Sequence, residues 1–165
     1  MIDKLLLFGS LRSKKLLKIV LDRKINNLNY KACIINNYKL KKVNNENYPF
    51  LKKTNNSTDQ VEGIIVFNLS NNDLKRILFF ESTEYILSNI QVVSENEIIK
   101  TKYLKMNKNN GTNDNWYYDE WKKYYEKKTC NLAKIWMKLF NKYSNNPDEA
   151  EKFWPQIIKN NYLKN

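Results

Sequence analysis

The sequence predicts an α+β domain whose strands form a mainly antiparallel sheet able to curl into a barrel. Three observations point there. Apolar runs of strand type and segments of helical period succeed one another as strand, helix, several strands, helix, strands and helices, which is not the alternation of a doubly wound sheet. Hydrophobic residues make up 42% of the chain and aromatic residues 13%, enough over 165 residues for one domain with its own core. Neither internal repeats nor a long linker interrupts that order.

The first element is a strand. Leu5, Leu6, Leu7 and Phe8 form a short apolar run closed by Gly9-Ser10, and Leu16, Leu17, Val20 and Leu21 then recur at helical spacing between lysines. Residues 30–43 read as two strands joined in a hairpin at Asn36-Asn37. Tyr48-Pro49-Phe50-Leu51 is extended, because a residue before proline avoids the helical region, and residues 54–60 are a polar loop. Residues 61–69 form a strand in which Gly63 marks a bulge or a close approach. Ser70 and Asp73 open a helix as a capping box with Asp in place of Glu, and Leu74, Ile77, Leu78 and Phe80 continue it to Glu81. Residues 85–93 and 98–104 are two more strands.

A loop around Asn109-Asn110-Gly111 divides this core, residues 1–108, from a helical C-terminal extension, residues 109–165, packed on it. In the extension Trp121, Tyr125, Leu132, Ile135, Trp136 and Leu139 trace one helical face. Asn146-Pro147-Asp148-Glu149 starts a final helix, with proline in the first turn and acids at the positive end of the dipole, and Pro155 interrupts it. Trp121, Trp136 and Trp154 are read as core anchors rather than as a ligand box.

Composition narrows the chemistry. There is no histidine, which removes Ser-His-Asp and Cys-His nucleophiles and the usual His-containing zinc sites. Proton transfer near neutral pH then falls to a carboxylate with a raised pKa, a lysine with a lowered one, a tyrosine or a cysteine. Cys33 and Cys130 match no metal spacing and are read as reduced cytosolic thiols. The apolar run near the N-terminus is too short to span a bilayer and lacks the layout of a signal peptide, so a cytoplasmic protein with no membrane partner is expected. The net charge of +12 invites a nucleic-acid reading, but the excess is spread evenly: residues 1–100 hold 16 basic and 10 acidic residues, residues 101–165 hold 13 and 7. Abundant lysine alongside abundant asparagine fits the coding bias of an AT-rich genome, which disfavours nucleic acid as the partner.

Two segments can carry chemistry. In Phe8-Gly9-Ser10-Leu11-Arg12, between a strand and a helix, glycine would let backbone N–H groups approach an anion at a helix start, or would serve only the geometry of the connection. In Phe79-Phe80-Glu81-Ser82-Thr83-Glu84-Tyr85, Glu81 meets the negative end of a helix dipole next to aromatic surface. Both effects raise a carboxyl pKa toward the range that a general base or acid requires; a solvated helix-end glutamate is the plainer alternative.

Taken in order, FGSLR, YPFL, VEGIIVFNLS and ILFFESTEY resemble the γ-glutamylcyclotransferase-like family, closest to its γ-glutamylamine cyclotransferase-like branch, over roughly residues 4–105. Residues 116–121 (WYYDEW) also resemble the tryptophan-containing extension of bacterial members. The resemblance implies a small mixed, mainly antiparallel β-barrel flanked by helices, and an intramolecular cleavage of a γ-glutamyl amide to 5-oxoproline and an amine, with no cofactor and no metal. Glu81 would be the acid/base residue, and Phe8, Gly9, Ser10 and Leu11 would offer backbone N–H groups to the glutamyl portion. Tyr85 would line the site, with Arg12 and Tyr48 nearby. The expected partner is a small γ-glutamyl-type substrate, and the expected state a monomer or homodimer. Phe8 stands where the family usually has tyrosine, Leu78 where aspartate is common and Ser82 where glycine is common. A ligand-binding protein of the same fold without turnover, and a basic nucleic-acid-binding domain, are the alternatives.

Overall fold

The structure, a computed structural model, describes residues 4–26, 28–107 and 110–162. The first apolar run forms β1 (Lys4–Leu7), followed by a short 3-10 turn (Ser10–Arg12) and α1 (Lys14–Leu21). Successive side chains of a strand point to opposite faces. Leu6 accordingly joins one buried cluster with Phe8, Ile35, Ile65 and Val92, while Leu5 and Leu7 join a second cluster with Leu16, Leu17 and Val20 of α1. A strand buried on both faces reads as an unbroken apolar run, and this one does.

Five strands close the barrel: β1, β2 (Asn29–Asn36), β5 (Gln60–Phe67), β6 (Tyr85–Ser94) and β7 (Glu97–Met106), in the order β1-β5-β2-β6-β7. β1 and β7 are parallel and the other pairings are antiparallel, which is the mixed, mainly antiparallel barrel expected. Glu95 and Asn96 both take positive φ in the tight turn joining β6 to β7, the twist that suits a two-residue hairpin loop. Gly63 pairs in register with Cys33, so there is no bulge; a Cβ there would lie 2.8 Å from Leu6 Cδ1, and close approach is what the glycine serves.

A second sheet, β4-β3-β8, holds β3 (Tyr38–Val43), β4 (Pro49–Lys53) and β8 (Gly111–Asn115). It corrects two expectations. β2 and β3 do not form a hairpin: Asn37, at φ 63°, turns the chain from one sheet into the other, and its N–H and C=O bond to Asp59 and Thr54 instead. The stretch after Asn110, expected as loop, is a strand on β3; it escapes notice because GTNDN is polar and largely exposed at a sheet edge. Lys108 and Asn109, where the sequence reading divides core from extension, lie outside the described residues.

α2 (Asn71–Glu81) begins at the expected capping box, Ser70 and Asp73 bonding reciprocally. Asp73 is buried and also takes Arg23 in a two-pronged ion pair at 2.8 and 2.6 Å. Burial pushes its pKa up, but the Arg23 and Ser70 bonds outweigh that and hold it below the usual carboxylate range. A depressed carboxyl stabilises the fold above its unfolded pKa, and that contribution is lost as the pH falls through the folded value. Asp73→Ala removes a cap and the partner of Arg23, and is expected to cost about 2–3 kcal/mol in urea unfolding at pH 7. A loss within experimental error would contradict this.

The extension holds α3 (Tyr118–Tyr124), α4 (Glu126–Trp136), α5 (Phe140–Tyr143), α6 (Pro147–Glu151) and α7 (Trp154–Tyr162). The single apolar face expected from Trp121 to Leu139 is broken at Tyr125, which leaves the helical region and is 39% exposed. The buried stripe is instead Trp121, Cys130, Ala133, Trp136, Met137 and Phe140. Ser13 caps α1 and donates to Glu126 at 2.6 Å, tying α1 to α4. Pro147 opens α6 and Pro155 lies in the first turn of a new helix, as its missing N–H allows. Cys33 and Cys130 are both buried free thiols. Among the described residues no helix is long and apolar enough to cross a membrane.

Candidate active site

Glu81 is the last residue of α2, and the chain turns there through Ser82, Thr83 and Glu84 into β6. Glu81 lines two recesses that share several lining residues. A narrow cleft of about 30 Å³ is lined by Phe8, Gly9, Ser10, Leu11, Tyr48, Glu81 and Tyr85, together with apolar neighbours. Ser10, Tyr48, Glu81 and Tyr85 also line a cavity of about 660 Å³ between the barrel and the C-terminal helices. Seven of the eight site residues proposed from sequence therefore meet around one cleft. Arg12 is the exception: its guanidinium bonds Glu62 at 3.3 Å and stacks 4.4 Å from the centre of the Tyr118 ring.

The glycine turn owes its sequence to packing. Gly9 has φ −107°, so a left-handed backbone is not the reason for glycine; an added Cβ would stand 2.8 Å from Pro49 Cγ. Pro49 is also held by Tyr85, whose hydroxyl donates to its carbonyl at 2.9 Å. These contacts lock the turn, the start of β4 and the start of β6 against one another. The 3-10 turn at Ser10 leaves its first N–H groups without a partner inside the helix, and Ser10 and Leu11 line the cleft. Phe8 points into the barrel, 6.3 Å from the Tyr103 ring centre, so the tyrosine-to-phenylalanine departure is accommodated as core.

Electrostatics single out one group. Glu81 is half-buried, and desolvation of its carboxyl by the protein packed around it, with the Glu84 carboxylate nearby, pushes its pKa up to about 8. Among the described residues no side chain hydrogen-bonds or ion-pairs with it. Tyr48 donates to Glu84 at 2.6 Å, and burial drives the pKa of both Tyr48 and Tyr85 well upward. Both tyrosines are fixed donors, and the group poised to gain or lose a proton near neutral pH is Glu81.

Sequence reasoning did not reach Glu46, Glu84 and Glu151 as site residues, and it noted Ser82 only as a departure from glycine; all four line the larger cavity. Glu84 was visible three residues after Glu81, the spacing of one helical turn, and carried a signal to that extent. Glu46 and Glu151 approach from distant segments. The reading of the tryptophans as core anchors also changes: Trp121 and Trp136 are buried, Trp154 is 37% exposed, and all three wall the cavity. Trp136 stacks on Phe79 and donates to its carbonyl at 3.1 Å, bracing the last turn of α2. Among the described residues no trio of acids or thiols is set to hold a metal ion.

Comparison with known proteins agrees with this architecture. No curated protein shows significant sequence similarity to the chain. Two Arabidopsis thaliana proteins of known solution structure are similar in fold: one at 18% identity and TM-score 0.57, with 78% of this chain and 86% of that one covered; the other at 19% and 0.57, with 89% and 86% covered. A solved gamma-glutamyl cyclotransferase aligns at 12% identity and TM-score 0.55, covering 88% of this chain and 86% of that one. At such identities these likenesses speak for the fold alone. The family model described as gamma-glutamyl cyclotransferase, AIG2-like, matches residues 5–123, most of the chain and all of the barrel but its first residue, and the chain belongs to that family.

Proposed function

We propose that the chain cleaves a γ-glutamyl amide by attack of the substrate's own α-amine, releasing 5-oxoproline and an amine, with Glu81 as general acid and base. The observation that carries this reading is a half-buried carboxyl, its pKa pushed up to about 8 by desolvation, in a cleft shared with the Phe8–Leu11 turn. The substrate's α-carboxylate would take the N–H groups of that turn, and its leaving amine would extend into the 660 Å³ cavity, whose size suits a small ligand.

In the reaction Glu81 takes a proton from the α-ammonium, and the freed amine attacks the γ-carbonyl carbon. The carbonyl oxygen becomes an oxyanion, Glu81 returns its proton to the leaving nitrogen, and the carbon–nitrogen bond to that amine breaks as the oxyanion collapses; the ring nitrogen then gives up its extra proton, by way of Glu81, to the departing amine, which leaves as an ammonium ion. Ring closure is intramolecular, so holding the substrate folded supplies much of the rate. Nothing in this sequence of steps needs a histidine. The test is release of 5-oxoproline from a panel of γ-glutamyl amines and γ-glutamyl amino acids at pH 8. At least one should turn over. Thermal stabilisation by panel members without product would favour a binding protein of the same fold.

A further inference from the structure

The residue after Glu81 is held in a conformation that L-amino acids rarely adopt. Ser82 has φ 55° and ψ −157°, a region that in practice belongs to glycine. Such a residue persists only where its surroundings impose it. Three donors from this turn converge on one oxygen, Oε1 of Glu151 in α6: the Ser82 hydroxyl, the Thr83 N–H at 3.3 Å and the Thr83 hydroxyl at 2.9 Å. Glu151 lies nearly 70 residues downstream, yet it borders the same cavity as Glu81.

We propose that Glu151 is a positioning residue for Glu81, clamping the strained Ser82 turn so that the end of α2 delivers the Glu81 carboxyl into the cleft. The inference rests on the role proposed for Glu81 above. It makes the C-terminal helices part of the active site rather than a cover over the barrel. Without the clamp Ser82 relaxes toward negative φ, the direction of the chain leaving α2 changes, and the Glu81 side chain swings toward water. A carboxylate suits this task because three donors arrive at one oxygen, and hydrogen bonds to a charged acceptor are the stronger ones.

The experiment compares Glu151→Ala, Glu151→Gln, Ser82→Gly and the pair Glu151→Ala with Ser82→Gly in the full chain. One readout is the Glu81 carboxyl titration by carbon-13 NMR without substrate; the other is kcat/KM for 5-oxoproline release. The ionisable groups that line the cavity with Glu81 stay the same in these variants, apart from Glu151 itself: Glu84 in the turn, Glu46 and Tyr48 before β4, Tyr85 in β6, Tyr125 between α3 and α4, and Lys128 in α4. Glu151→Ala should lower the Glu81 midpoint by about one pH unit or more and kcat/KM by about 100-fold. Adding Ser82→Gly should restore most of both, since glycine takes the turn without a clamp. Glu151→Gln removes the charge but keeps an acceptor oxygen, and should move both readouts less than Ala does; it also serves if the alanine variant does not fold. Equal shifts for Gln and Ala, or an unrescued double variant, would reduce Glu151 to a charge or a latch and overturn the proposal. If the midpoints behave as stated while no γ-glutamyl amide yields 5-oxoproline, the clamp stands and the proposed reaction falls.

Discussion

Under the proposed mechanism, Glu81→Gln should lower the rate of 5-oxoproline release by about 10²- to 10⁴-fold, the range spanned by a positioned proton-transfer group. Glutamine keeps the size and shape of the side chain and loses only the capacity to accept and return a proton. The loss should therefore appear in kcat, with KM little changed, because in the proposed mechanism the Phe8–Leu11 turn holds the glutamyl portion. Among the described residues that line the narrow cleft, no second carboxyl, lysine or thiol offers a bypass. Tyr48 and Tyr85 are driven away from neutrality, and the chain has no histidine. Wild-type rates in the glutamine variant would remove Glu81 from the mechanism.

The same substitution should make the protein more stable in alkaline solution. The folded pKa of Glu81 is about 8 against an ordinary value of 4.5. Between those values the folded state holds a proton that the unfolded chain has released, so stability falls as the pH rises through that window. The penalty is absent below the unfolded pKa and complete above about pH 8. At roughly 1.4 kcal/mol per unit, and allowing for the polarity of the replacement amide, it is on the order of 3 kcal/mol. Glu81→Gln should thus raise Tm by roughly 10 °C at pH 9 and change it little at pH 4.5. A uniform shift at both pH values would mean that the carboxyl is hydrated and ordinary. Loss of activity with gain of stability from one atom exchange is the mark of a site that holds an uncomfortable charge for function.

Much of the scaffold is legible because its signals are local. Leu5 to Phe8 followed by Gly9 predicts β1 and its turn, Ser70 with Asp73 predicts the start of α2, and Pro147 predicts α6. Errors arise where a distant partner decides. Alternating residues around Asn36-Asn37 mark two strands, but nothing local says that they pair with different neighbours. GTNDN becomes strand only because β3 presents an unpaired edge. Tyr125 breaks a helical face that periodicity alone would continue. The site divides in the same way. Glu81 could be picked out by its place at a helix end beside two phenylalanines, and the order of motifs paired it with the glycine turn. Glu46 and Glu151 arrive from the loop before β4 and from α6, with no pattern near either to announce them. Ser82 was visible as a departure from glycine, but its reason, a strained turn with a clamp from the far end of the chain, exists only in three dimensions.

The ionisation of Glu81 in the intact protein tests the central claim most directly. Carbon-13 resonances of the glutamate carboxyls, with Glu81 identified by the signal missing in Glu81→Gln, follow it through pH without any substrate. A midpoint near pH 8 is the predicted result. A midpoint between about 4 and 5, where hydrated glutamates titrate, would contradict it.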